Sequence, residues 1–355
     1  MPLFSFASAQ GPLPREILSR LREEIDPGPG ATSLLELPFS VPAFEEIRAA
    51  AEQDLRDLLA LPEDYSVLFL QGGASAMFAL VPMNLLRQGE AADYIETGLW
   101  SRRAARAAQP WGVVRVAASG EGRSLPPRTQ WRLSRDAVYC HLTTTETAEG
   151  LQYFSFPETA GVPIVADMTA DFLTRPLQLA PFGLIYASAQ KNLGIAGLTI
   201  VVIHRALVDR ADGIAPAPLD FARQAEARSK VNTPPVLAIA VAGKVLRWLR
   251  ENGGLAAAKE RGERKAKPLY AVIDDDGFYD APAPERDRSR VSLRFHLPEP
   301  RLEEVFLREA EAQGLVHLRG HPEIGGLRAS LYNGVTQEAA EALATFMRDF
   351  RQRRG

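Results

Sequence analysis

The sequence predicts an α/β protein built around a mostly parallel sheet, with a smaller α+β region at its C-terminal end. Two observations carry this. Short apolar, β-rich runs alternate with amphipathic helical runs between residues 66 and 203, the pattern of strands joined by crossover helices. After Pro234-Pro235 the texture changes to long helices broken by only two strand-like segments.

In order, the spacing predicts a helix over Pro14 to Glu24, with Ile17, Leu18 and Leu21 apolar, broken by Pro27-Gly28-Pro29-Gly30. A second amphipathic helix covers Ala43 to Leu61. The alternation follows: strand Ser66 to Leu70, helix Ser75 to Leu86, strand Asp93 to Glu96 and helix Ser101 to Gln109. Val113 to Ala117, Ala137 to Leu142, Ile164 to Asp167, Leu184 to Ser188 and Leu198 to Ile203 read as further strands. Ligands of such a sheet sit at the carboxyl ends of its strands. Beyond Pro235 come helices over Val236 to Glu251 and Gly254 to Asp274, a strand over Arg290 to His296 and a helix over Arg301 to Gln313. A strand over Leu327 to Tyr332 and a closing helix over Gln337 to Arg351 complete the chain. The smaller region is expected to begin near residue 256.

Composition narrows the function. The 355 residues are 46% hydrophobic and 24% charged with a net charge of −3, which lacks the basic excess of a nucleic-acid footprint. Five histidines and one cysteine leave little for a dedicated zinc site, and no metal is expected. Cys140 alone allows no intramolecular disulfide, which fits a reducing cytoplasm. Met1 to Gln10 has neither the basic start nor the apolar run of a secretory signal. Leu198 to Ile203 and Val236 to Val245 are too short to span a bilayer. The expectation is a soluble cytoplasmic protein.

Three segments carry candidate chemistry. In Ala187-Ser188-Ala189-Gln190-Lys191-Asn192-Leu193-Gly194 a lysine follows an apolar strand in a small-residue turn. Desolvation there lowers an amine's pKa and exposes a nucleophile towards an aldehyde, although a solvated loop lysine fits the bare residues as well. Ile164-Val165-Ala166-Asp167 ends a strand in a carboxylate, suited to a pyridinium nitrogen or, equally, to a helix N-cap. Gln71-Gly72-Gly73-Ala74-Ser75 opens a helix whose free N–H groups suit a phosphate. It lacks the Gly-Lys-Ser/Thr of a Walker loop.

Along nearly its whole length the chain resembles the phosphoserine aminotransferase family, fold-type I, class V enzymes of pyridoxal 5′-phosphate (PLP). The carrying stretches are Phe69 through Ser75, Ala92-Asp93-Tyr94, Val165-Ala166-Asp167, Gly183 through Gly194, Asn232-Thr233-Pro234-Pro235, and Gly325 through Asn333. The resemblance implies a PLP-binding large domain over residues 16–255, a small domain over 256–355, and an N-terminal segment, 1–15, joining the active site. It implies that Lys191 carries PLP as a Schiff base and moves the α-proton, and that Asp167 holds the pyridinium N–H. Trp100 would stack on the ring and Thr147 would bond its phenolic oxygen. Ala74, Ser75, Thr169 and Gln190 would surround the phosphate, with Asn232 and Thr233 supplied by the neighbour in a homodimer. Arg328 would clamp the substrate α-carboxylate, for which an arginine fork is suited. Taken alone, Trp100 also fits a core aromatic and Arg328 a surface ion pair.

The departures from the family cluster on substrate recognition. Its Ser-His-Arg-Gly segment is replaced after Thr32-Ser33-Leu34-Leu35-Glu36-Leu37 by Pro38-Phe39-Ser40-Val41. Its Gly-His-Arg reads Gly320-His321-Pro322, and its Ser-Ser-Gly-Pro reads Ser8-Ala9-Gln10-Gly11-Pro12. A phosphate carries roughly −1.5 to −2 charge, and hydrogen bonds to charged groups are worth about 1.5–3 kcal/mol each. Loss of one histidine and two arginines therefore weakens phosphate recognition by several kcal/mol, unless residues such as Arg102 or Arg103 compensate. The expected activity is transamination between an amino acid with a non-phosphorylated side chain and a 2-oxo acid, with Phe39, Ser40, His321 and Arg328 on the substrate. Three alternatives stand beside it: elimination, β-replacement, decarboxylation or retro-aldol chemistry on the same cofactor; authentic phosphoserine transamination; and a PLP-binding regulator.

Overall fold

The computed structural model describes residues 2–159, 161–211, 213 and 215–355. Seven strands form the main sheet: β1 (Tyr65–Gln71), β2 (Ala91–Glu96), β3 (Val113–Ser119), β4 (Ala137–Thr143), β5 (Ile164–Asp167), β6 (Phe182–Ser188) and β7 (Leu198–His204). Their spatial order is β1-β7-β6-β5-β4-β2-β3. All neighbours run parallel except β7, which is antiparallel to both β1 and β6. The mostly parallel sheet expected from the alternation is present. The reversal at β7 has a simple local cause: only the turn at residues 189–197 separates β6 from β7, too short for a crossover to a parallel neighbour.

Side-chain alternation along the strands feeds two apolar layers. One face presents Val67, Phe69, Ile164, Ala166, Ile185, Ile200 and Val202 to helices α1 (Arg15–Ile25) and α2 (Pro42–Leu59) and to Val236–Glu251. The other presents Leu68, Leu70, Val165, Leu184, Tyr186, Val201 and Ile203 to α3 (Ala74–Leu85) and α4 (Leu99–Ala108). Two short helices that the residue spacing does not predict, α5 (Arg205–Ala211) and α6 (Phe221–Glu226), precede α7 (Val236–Glu251). Asp220 caps α6 by accepting from the N–H groups of Ala222 and Arg223.

A separate apolar core gathers Phe6 with residues of α8 (Gly254–Ile273), α9 (Pro300–Ala312) and α10 (Gln337–Arg354). Its sheet is β8 (Ser292–Phe295), β9 (Arg319–His321) and β10 (Gly325–Ser330), in the order β8-β10-β9. The strand expected over Arg290 to His296 is shorter, because Arg290 N donates to Gln152 Oε1 instead of a ladder. Phe4–Ser5 pairs with Leu315–Val316, tying the N-terminal segment to this core. Among the described residues no helix is long and apolar enough to cross a membrane.

Candidate active site

A cavity of about 510 Å³ opens at the carboxyl ends of β4, β5 and β6, a size suited to a cofactor with a small substrate. It is lined by Ala74, Ser75, Trp100, Thr147, Asp167, Thr169, Gln190, Lys191, His321 and Arg328, all singled out in the sequence. Ser8, Ala9, Thr143, Thr145 and Pro322 complete much of the rest.

The floor is set by strand ends. Asp167, last residue of β5, is buried, and its Oδ1 accepts from Thr169 N at 2.9 Å. Burial pushes this carboxyl up, partly offset by the Thr169 bonds, so a cationic or N–H partner is favoured beside it. Thr169 Oγ1 accepts from Ser188 N at 3.2 Å, which links the end of β5 to the end of β6. Three residues beyond β6, Lys191 places Nζ 5.9 Å from the Trp100 ring centroid. Desolvation lowers its amine from the ordinary lysine value to about 8; the Asp167 charge opposes the shift and Arg328 adds to it. A useful fraction of the amine is thus neutral near pH 8. The backbone here is pinned from outside: Gly11 N donates to Gln190 O at 2.8 Å, and a Cβ on Gly11 would meet Lys191 O at 2.1 Å. Glycine is required at that crossing.

The N-terminus of α3 opens onto the cavity through Gly73, Ala74 and Ser75, with no side-chain cap on its first N–H groups. Gly72 holds φ at +112°, a value that favours glycine and turns β1 into the helix. Opposite, Trp100 Nε1 donates to Thr147 Oγ1 at 2.9 Å, and the Thr147 hydroxyl keeps its own proton to donate. Arg328 Nη1 donates to Thr147 O at 3.0 Å, and its Nε is buried without a partner among the described residues. The His321 ring stands edge-on to Trp100, 5.8 Å between centroids. Desolvation, with Arg328 and Arg103 nearby, lowers the His321 pKa, so the imidazole is neutral at pH 7. Its Nδ1 accepts from Glu323 N at 3.2 Å, which puts the ring proton on Nε2.

Four residues expected at a site lie outside this cavity. Phe39 turns inward and packs half-buried against the core of its own chain, and Ser40 is exposed. Asn232 Oδ1 accepts from Gln224 Nε2 at 3.2 Å, and Thr233 O accepts from Gln71 Nε2. Thr143 and Thr145, not singled out from the sequence, also line the cavity, and their Oγ1 atoms are buried without partners among the described residues. Glu146 and Glu149, behind Trp100, were also missed. Their signal was present as two acids in the Thr-rich run Thr143 to Gly150.

The donor set fits PLP. Unpartnered threonine hydroxyls, an uncapped helix N-terminus, a buried carboxylate and a depressed amine converge on one cavity. Lys191 could hold its aldehyde carbon, Asp167 its ring nitrogen, and Ala74, Ser75, Thr169 and Gln190 its phosphate. The Aminotransferase class-V family matches residues 3–343. The phosphoserine aminotransferase of Azotobacter vinelandii is 43% identical over 356 residues, covering 99% of each chain. Among solved structures, phosphoserine aminotransferase from Bacillus circulans subsp. alkalophilus has TM-score 0.97 and 39% identity, covering 100% of this chain and 99% of that one. The PLP-bound phosphoserine aminotransferase from Trichomonas vaginalis has TM-score 0.92 and 32% identity, covering 98% and 100%. With its lysine, aspartate and helix end gathered at one sheet edge, the chain belongs to the class V aminotransferases, PLP-dependent transaminases of α/β fold.

Proposed function

We propose that this aminotransferase exchanges the amino group of an α-amino acid with a non-phosphorylated side chain for the oxo group of a 2-oxo acid. When bound, PLP supplies the aldehyde that takes up the amino group and a ring that accepts electron density from the α-carbon. Lys191 Nζ removes the α-proton and returns one during the transfer, the role its lowered pKa suits. Asp167 keeps a proton on the ring nitrogen, and Trp100 covers one ring face and excludes water. Arg328 binds the α-carboxylate through N–H groups not spent on Thr147 O.

The observation that carries the substrate reading is the charge of the side-chain wall. The cationic or ionisable bases lining the cavity are Lys191, His321 and Arg328. With two of them engaged in the reaction and the α-carboxylate, a neutral His321 and Pro322 remain to meet the side chain. Arg103 is paired with Glu323 and stacked on Trp100. Phe39, Ser40, Asn232 and Thr233 stand outside their own cavity, as residues given to a partner's site in a homodimer would. If they reach it, they bring no charge. A division at about residue 256 is supported by the separate core that Phe6 forms with α8, α9 and α10. A second reading, phosphoserine as substrate, is favoured by the names of relatives at 43% identity.

The test is the absorbance of the PLP-loaded enzyme during addition of single amino acids. Conversion to the pyridoxamine form by a non-phosphorylated amino acid, with phosphoserine inert, is expected. Conversion by phosphoserine alone overturns the side-chain reading, and spectral change that never reaches pyridoxamine overturns transamination.

A further inference from the structure

Two acids that the chemistry above does not use support the ring wall of the cavity. Glu146 and Glu149 are buried beneath the first turn of α4. Glu146 Oε1 accepts from Ser101 N at 2.8 Å and Thr97 Oγ1 at 3.3 Å, and its Oε2 accepts from Trp100 N at 2.9 Å. Glu149 Oε1 accepts from Leu99 N at 2.7 Å, while its Oε2 is buried with no hydrogen-bond partner among the described residues. Three consecutive N–H groups at one helix end are thereby satisfied from a distant segment. Both carboxyl carbons fall within 2.8 Å of the point where a Cβ on Gly98 would sit, so only glycine lets them converge there. Thr147, between the two acids in sequence, joins the Trp100 indole on its hydroxyl to Arg328 on its carbonyl.

We propose that Glu146 and Glu149 form a carboxyl pair holding a single proton, on Glu149, and that this pair is the positioning device that fixes Trp100 in the cofactor site. Two acids this close and this buried resist ionising together, so one of them keeps its proton far above the usual carboxylate range. Glu146 meets donors on both oxygens and lies at a helix N-terminus, so it takes the negative charge. Glu149 has one oxygen free of donors, where a proton is accommodated. Burial first, and then the Glu146 charge, push Glu149 up to about 7. Burial also pushes Glu146 up, and its bonds from Ser101 and Trp100 draw it back. The other charges facing Glu149 are Arg102 of α4, 3.9 Å away and itself 43% exposed, and Arg294 and Arg328 from the small sheet. None of the three donates a hydrogen bond to it at ordinary distance.

The pair predicts an asymmetry that mere burial of two acids does not. Gln at 149 reproduces the neutral acid; Gln at 146 sets an NH2 against a backbone N–H. The protein is labelled with fluorotryptophan, the Trp100 resonance is assigned with Trp100→Phe, and the signal is followed from pH 5.5 to 8.5 with and without PLP. The expected result is a Trp100 shift with a midpoint near 7, separate from the Lys191 titration near 8, and Glu149→Gln abolishes the step near 7 alone. In equilibrium binding, Glu146→Gln is expected to lose at least about tenfold more PLP affinity than Glu149→Gln, the scale of one charged hydrogen bond. A pH-independent Trp100 signal in the parent, a midpoint that survives in Glu149→Gln, or equal losses in both variants would overturn the pair. If Glu146→Gln does not fold, the pH series on the parent and Glu149→Gln decides alone. The inference rests on Trp100 facing the cofactor, and the two failures separate. Without PLP the pH shift reports the pair, whereas a Trp100 resonance unmoved by loading overturns the stacking.

Discussion

Asp167, Thr143 and Ser188 end neighbouring strands of one seven-stranded sheet, whereas His321 and Pro322 sit where the short strand β9 turns toward β10 over a different core. The floor is therefore held by ladder hydrogen bonds and close packing on both faces. The side-chain wall is held by a three-residue strand and a turn. A change on the floor disturbs the sheet and the chemistry together. A change at Pro322 on the wall is expected to alter what the cavity admits with less effect on the proposed cofactor contacts. Lys191 and Asp167, which match the family, sit on the floor, whereas Pro322, Phe39 and Ser40, which depart from it, sit on the wall or in the turn before α2.

The sharpest way to break this contrast is at the floor. Lys191→Ala is expected to lower kcat by about 10³-fold, within the range of a positioned acid–base group, measured by steady-state turnover with any accepted amino acid. A loss below about tenfold would remove Lys191 from proton transfer. Next, Arg328→Gln is expected to raise KM for amino acid and oxo acid alike by about 10–100-fold, the worth of one charged hydrogen bond. A change in kcat alone would move it off the carboxylate. On the wall, Pro322→Arg is expected to improve kcat/KM for phosphoserine by about tenfold without changing PLP affinity. A loss of PLP binding in that variant would show that wall and floor are not separable.

The smallest effect concerns Glu149, at the boundary between the two regions. Its folded pKa is raised to about 7, above the ordinary 4.5. Between those values the folded state binds the extra proton, so this group's contribution to stability falls as pH rises through that window and is lowest above 7. Glu149→Gln lacks that titration. Its melting temperature relative to the parent is expected to rise by about 1–3 °C between pH 5 and 8, followed by differential scanning calorimetry. A difference constant with pH would contradict the raised value.

The same contrast explains what could be read in the sequence. Lys191, Asp167 and the Gly72-Gly73 turn were legible because each ends a strand or lies within three residues of its end, and the strand carries the residue to its place. The start of α4 at Leu99 was not. The acceptors for its first N–H groups are Glu146 and Glu149, 45 to 50 residues away, so the sequence suggested a start at Ser101. The antiparallel direction of β7 was likewise hidden, since strand periodicity carries no direction. Phe39 was read as a wall residue from its place in a motif, yet in its own chain its apolar ring finds the core.

The reversed strand also has a consequence for how the chain is made. Among the described residues β1 is an edge strand whose one neighbour in the sheet is β7, which emerges more than a hundred residues later. At ordinary ribosomal speeds of about 5–20 residues per second, Val67 to Leu70 wait roughly 6–25 s for their partner. During that interval an apolar segment with open N–H and C=O groups is exposed to other nascent chains. The turn proposed to cradle a phosphate is thus completed late in synthesis, and a holding chaperone would find a target in the strand beside it.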